Sequence, residues 1–181
     1  MAANTSLASL IINGLQINDA AAAILAKALA VNTFLKKLHI SNNQIGNDGA
    51  IAIARALETN MSLTELFLEN NYIGKLGIEA IAQALKVNTS LKTFWADFNK
   101  VDKAAVNILA DLLQQNISIT SLKILPSKLL VSDAEAESGL RNIVKRNREA
   151  SEAFLNKESF LSIALEAILK NALMAIIILF R

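Results

Sequence analysis

Apolar and polar residues along this chain alternate over short stretches, then switch to a spacing of three and four, and the whole pattern returns every 28 residues. The segment 62–89, SLTELFLENNYIGKLGIEAIAQALKVNT, aligns without a gap on 34–61, FLKKLHISNNQIGNDGAIAIARALETNM. Units begin at Ser6, Phe34, Ser62, Ser90 and Ser118. Leucine-type residues recur at the second place (Leu7, Leu35, Leu63, Leu91, Ile119), the fifth (Leu10, Leu38, Leu66, Phe94, Leu122) and the seventh (Ile12, Ile40, Leu68, Ala96, Ile124). That alternation predicts a short strand with its apolar side inward. Further on, Ala50, Ile53, Ala54 and Leu57, and again Ile78, Ile81, Ala82 and Leu85, have the spacing of an amphipathic helix. Each unit is therefore expected to be one strand and one helix. A fixed period of this size marks a solenoid, whose units bury their apolar faces only by stacking.

Polar columns follow the same frame. The tenth place holds Asn43, Asn71 and Asn99, where an amide can donate to and accept from backbone groups that lose their sheet partners as the chain turns inward. A second column, Asn32, Asn60, Asn88 and Asn116, falls just past each helix and is expected to end it in left-handed geometry. Small residues at Gly49, Gly77 and Ala105 let each helix start close to the layer beneath, and Asp19 and Asp48 sit near helix starts, where a carboxylate is favoured.

The pattern LxxLxLxxNxI followed by a helix resembles the ribonuclease-inhibitor type of leucine-rich repeat over about residues 6–147. The resemblance implies an α/β solenoid with a curved parallel sheet inside, helices outside and a C-terminal helical cap. It divides the chain into a repeat array, 1–147, and a cap or tail, 148–181. Similar arrays are attached to NOD-like receptors and occur in bacterial effectors delivered into host cells, which implies work by binding another protein. Departures from the pattern are Leu15 in place of the first ladder asparagine, the small Ala96, and Pro126 with Ser127, which are expected to shorten the fifth strand.

Composition narrows the classes. Of 181 residues 53% are hydrophobic, enough for one continuous core, and the absence of cysteine removes both disulfides and thiolate zinc sites. A net charge of +2 gives no electrostatic case for nucleic acid. No basic segment precedes an apolar run at the amino end, so the expected location is cytoplasmic, or the host cytosol for a delivered effector. Richness in Asn, Lys and Ile with a single Pro suits an AT-rich bacterial genome. Beyond a fifth helix over Ala134–Arg146, Asn147–Lys157 reads as a further helix or its continuation, and Glu158–Arg181 as a last, strongly apolar one. Its uncharged run, Asn171–Phe180, is half of the roughly 20 residues that a membrane span needs. Packing on the last repeat or pairing with a second copy is the main expectation for this tail. Membrane contact and an end created by truncation are the alternatives, and attachment or self-assembly through the tail is the competing function.

Function is expected on the strand face turned from the core, at the third, fourth, sixth, eighth and ninth places. The sixth-place column reads Ile11, His39, Phe67, Trp95 and Lys123; the eighth reads Asn13, Ser41, Glu69, Asp97 and Leu125; the ninth includes Asn42, Asn70 and Phe98. Phe67, Trp95 and Phe98 are expected as exposed aromatics, with Glu65, Glu69 and Asp97 as an acidic edge and Lys36, Lys37 and Lys92 towards the other end of the strands. Partner-binding residues on this reading are His39, Glu65, Phe67, Glu69, Trp95, Asp97, Phe98 and Lys123, and the partner is a protein offering an apolar or basic projection. Burial of Phe67 and Trp95 under the chain's own tail is the alternative. Catalysis, a cofactor and a metal are not expected: His39 is the sole histidine, and Gly46–Gly49 and Gly74–Gly77 lack the ending and spacing of phosphate loops. Arg141, Lys145, Arg146 and Arg148 read as a solvated helix face.

Overall fold

The computed structural model describes residues 4–124 and 138–152, in two compact bodies, Met1–Lys145 and Arg146–Arg181. Pro126, Ser127 and the apolar stretch from Glu158 onward lie outside the described residues. Strands β1 (Ser9–Ile11), β2 (Lys37–His39), β3 (Glu65–Phe67), β4 (Thr93–Trp95) and β5 (Ser121–Lys123) alternate with helices α1 (Asp19–Val31), α2 (Asn47–Thr59), α3 (Lys75–Val87) and α4 (Lys103–Leu112). The strands form one parallel sheet in the order β1-β2-β3-β4-β5. Every pairing joins residues one repeat apart, as in Leu10↔Leu38, Leu38↔Leu66, Leu66↔Phe94 and Phe94↔Leu122. The fifth strand is as long as the others, against expectation, because every strand ends at its sixth place, ahead of Pro126.

The core lies between sheet and helices. Leu38, Leu66, Phe94, Ile53, Leu57, Ile81 and Leu85 are all fully buried. Each such side chain is worth about 1.5–3 kcal/mol of apolar burial, and no single unit could collect it alone. Leu7, an inward residue of the first unit, is exposed because β1 is the sheet edge. A helix over 138–152 runs through Asn147 without a break, so Asn147 continues a helix rather than starting one; Arg146 Nη2 donates to its Oδ1 at 2.8 Å.

Both asparagine columns are ladders between units. Asn71 Nδ2 donates to Leu68 O of its own unit and to Ile40 O of the previous one, and its Oδ1 accepts the previous unit's Ile45 N–H. Asn43 and Asn99 repeat the scheme. Each ladder amide thus serves the unit before it. Leu15 belongs to the unit of the edge strand β1, and among the described residues no strand lies beyond β1 for an amide to reach.

The second column corrects the expectation of left-handed helix ends. Asn32, Asn60 and Asn88 are extended (φ −83°, −77° and −76°), and they act through their side chains. Asn60 Nδ2 donates to Leu29 O and Asn32 O of the preceding unit, while its Oδ1 accepts Ser62 N–H and Leu63 N–H. Left-handed backbone recurs instead at the ninth place, with φ of 69° at Gly14, 58° at Asn42, 51° at Asn70 and 59° at Phe98, and occurs once more at Gln16, with φ of 56°.

Helix starts are capped across units as well. Asp19 Oδ1 accepts Gly46 N–H and Gly49 N–H, which open the next unit's helix, and Asn47 Oδ1 accepts Gly74 N–H and Gly77 N–H. A Cβ at Gly49 would stand 2.6 Å from Asp19 Oδ1, so the glycine is what admits the cap. The third unit has Lys75 at this place, which cannot accept; α4 is capped by its own Asp102, whose Oδ1 takes Ala105 N–H at 2.8 Å.

Candidate functional site

Strand register brings the sixth-place residues side by side: Ile11↔His39, His39↔Phe67, Phe67↔Trp95 and Trp95↔Lys123. From His39 to Lys123 the side chains touch. The His39 and Phe67 rings stack with centroids 3.9 Å apart and planes at 18°, and Phe67 meets Trp95 edge to face at 5.0 Å and 81°. Lys123 Nζ stands 3.7 Å from the Trp95 ring centroid, and the indole Nε1–H donates to Ser121 Oγ at 3.0 Å. Aromatic pairs contribute about 0.5–1.5 kcal/mol beyond their area, and an exposed cation–π contact about 0.5–1 kcal/mol. The row is therefore cohesive in the free protein.

That cohesion corrects one expectation. Phe67 is not an exposed aromatic: with His39 on one side and Trp95 on the other it keeps only 9% exposure. Trp95 and His39 are half-buried, Lys123 is exposed, and Ile11 at the start of the row is 64% exposed. Phe98 lies beyond the end of β4 and is 74% exposed.

Charges frame the rings. On the fourth-place column Lys37 Nζ pairs with Glu65 at 2.8 Å, a half-exposed ion pair worth less than about 1 kcal/mol. On the eighth, Ser41 Oγ donates to Glu69 Oε2 at 2.5 Å and Asn13 Oδ1 accepts Ser41 N–H. Asp97 is half-buried, and its backbone O accepts Asn70 N–H. Lys36 and Lys92 are exposed at the strand entries.

This chemistry does not assemble a nucleophile. Ser41 Oγ–H donates a hydrogen bond to Glu69, not to a histidine, and the His39 ring lies flat on Phe67. Nor are the glycine loops anion cradles, because Asp19 and Asn47 already occupy their amides. Among the described residues no group of three His, Asp or Glu could hold a metal, and no helix is long and apolar enough to cross a membrane. Arg141, Lys145, Arg146 and Arg148 are exposed along the helix over 138–152. Cover by the tail, and its other proposed roles, concern residues outside those described.

Sequence reasoning missed the caps of Asp19 and Asn47, although glycines at the thirteenth and sixteenth places after an acceptor one unit earlier carry that signal. It also missed the pairing of Lys100 Nζ with the Tyr72 ring, 4.7 Å from its centroid, although both occupy the eleventh place.

Comparison with known proteins agrees with the repeat. Residues 31–54 and 59–82 match the family described as Leucine Rich repeat. Among solved structures, leiomodin-1 actin-binding site 2 is similar with a TM-score of 0.77 at 23% identity, covering 88% of this chain and 91% of that one. The tropomodulin C-terminal domain from Caenorhabditis elegans is similar with a TM-score of 0.74 at 20% identity, covering 85% and 92%. No curated protein sequence matches. The fold is thus an α/β leucine-rich-repeat fold with five parallel strands alternating with helices.

Proposed function

We propose that this chain is a protein-binding module whose partner sits on the open face of the sheet. The observation that carries the reading is the continuous row of His39, Phe67, Trp95 and Lys123 across four strands. Folding requires apolar residues only on the inward side of each strand, so nothing in the core calls for aromatics here. Half-buried aromatic side chains gather interface energy at little entropic cost, which suits Trp95 and the accessible edge of His39 as anchors. Glu65, Glu69 and Asp97 beside the row favour a partner with an apolar or basic projection. Binding, without chemistry, is the activity proposed.

The narrower form of the reading is a bacterial effector meeting a host protein in the cytosol. It is supported by the resemblance of the repeat to such effectors and by the Asn-, Lys- and Ile-rich composition. Actin is the first purified partner to assay, since leiomodin-1 actin-binding site 2 shares this fold. Co-sedimentation with actin, and photo-crosslinking from positions 11 and 39 for other partners, test the reading. Trp95→Ala is expected to weaken partner binding at least tenfold, about 1.4 kcal/mol, while Gln83→Ala on the exposed side of α3 leaves it unchanged. Equal effects of the two substitutions would overturn the proposal.

A further inference from the structure

At the rim where the chain leaves the strands, Phe98 holds a backbone that suits glycine and asparagine, not phenylalanine. Its φ is 59°, whereas the same place in the earlier units is Gly14, Asn42 and Asn70. Asn70 Nδ2 donates to Asn42 Oδ1 at 2.7 Å, a bond that a phenylalanine cannot extend. Little packing offsets the strain, because the ring is 74% exposed. An exposed aromatic kept in an unfavourable conformation points to a use outside the fold.

Its surroundings have a definite character. Tyr72 is 53% exposed, with Lys100 over its ring. Lys100 O lies 3.6 Å from where a Cβ on Gly74 would be, which brings this loop against the start of α3, where Lys75 and Leu76 are exposed. Along the rim the fourteenth place changes from Asp19 and Asn47 to Lys75 and Lys103, with Asp102 the one carboxylate beside Lys103, so Lys75 and Lys100 supply the cations nearest Tyr72.

We infer that Tyr72, Lys75, Leu76, Phe98 and Lys100 form a second docking surface, and that its occupant is an acidic protein segment carrying an apolar side chain. The aliphatic Leu76 and the small number of cations favour a peptide over a nucleic acid, whose affinity rests on many phosphate contacts. The inference does not rest on the aromatic row, whose acidic frame selects the opposite charge.

A displayed library of random twelve-residue peptides, selected on the full chain, tests it, with fluorescence polarisation of the enriched peptides as readout. Enriched peptides are expected to be rich in Asp and Glu around a Leu, Phe or Trp. Phe98→Asn and the double change Lys75→Glu with Lys100→Glu are each expected to weaken them at least tenfold, while Trp95→Ala alters affinity less than twofold. Phe98→Asn relieves the backbone, so its Tm is expected to equal or exceed that of the parent, which separates lost contact from lost folding. Enrichment without acidic bias, full binding by Phe98→Asn, an equal loss with Trp95→Ala, or displacement by a single-stranded DNA twelve-mer at lower concentration than by unlabelled peptide would each overturn the proposal.

Discussion

Replacing Asn71 by alanine measures what the buried amide ladder contributes, and the structure allows the cost to be worked group by group. Asn71 is almost fully buried and makes four side-chain hydrogen bonds, three of 3.0–3.1 Å with Ile45 N, Ile40 O and Leu68 O and one of 3.4 Å with Glu69 O, which keeps Asn42 N–H. The other two carbonyls are doubly served: Ile40 O keeps Asn43 Nδ2, and Leu68 O keeps Asn99 Nδ2. Only the Ile45 N–H is left without its side-chain acceptor. One orphaned buried donor costs about 1–3 kcal/mol, and the small void adds up to about 1 kcal/mol, for a total near 1–4 kcal/mol. Urea unfolding followed by far-UV circular dichroism would read this as a lower midpoint. Hydrogen exchange localises it: the Ile45 amide should exchange roughly thirtyfold faster for about 2 kcal/mol, while the Ile73 amide, held by Asn99, changes less. Leu15→Asn provides the comparison, since β1 is the edge strand of the sheet among the described residues and the new amide would face no earlier strand there. A loss below about 0.5 kcal/mol for Asn71→Ala, or faster exchange at Ile73 than at Ile45, would refute this account of the ladder.

Asp19→Ala should cost about 1–2 kcal/mol in thermal or urea unfolding by freeing Gly46 and Gly49 N–H, and Asp19→Asn much less, because Asn47 caps the next helix as an amide. Lys75→Asn should gain nothing measurable in Tm, since Asp102 already caps α4 and Ala105 stands where a glycine would have to be. Gly77→Ala should destabilise by about 1–3 kcal/mol, as its Cβ would meet Ile73 Cγ2 at 2.6 Å and Ala50 Cβ at 2.9 Å. Phe67→Ala should cost about 2–3 kcal/mol by calorimetry despite lying on the outer face of the sheet, and a cost near zero would show that the ring row does not stabilise the free protein.

The order and kind of every described strand and helix through α4, the sheet's inward face and the alignment of the sixth-place column were legible in the sequence, because a side-chain period of two inside a 28-residue frame gives each residue one address. Both asparagine columns were legible as polar positions, and the first also as a ladder. The sequence could not say which unit an amide or a carboxylate serves. Asp19 lies at the start of α1 yet caps α2, and Asn60 follows α2 yet its side chain holds the carbonyls at the end of α1, in the unit before it. Phe67 was legible as outward-facing but not as covered, since its cover is His39 and Trp95, each 28 residues away. These outcomes share one cause. Stacking sets groups a full repeat apart at the strand spacing of about 4.8 Å, so a polar or aromatic side chain meets partners in the adjacent unit that its sequence neighbourhood does not reveal.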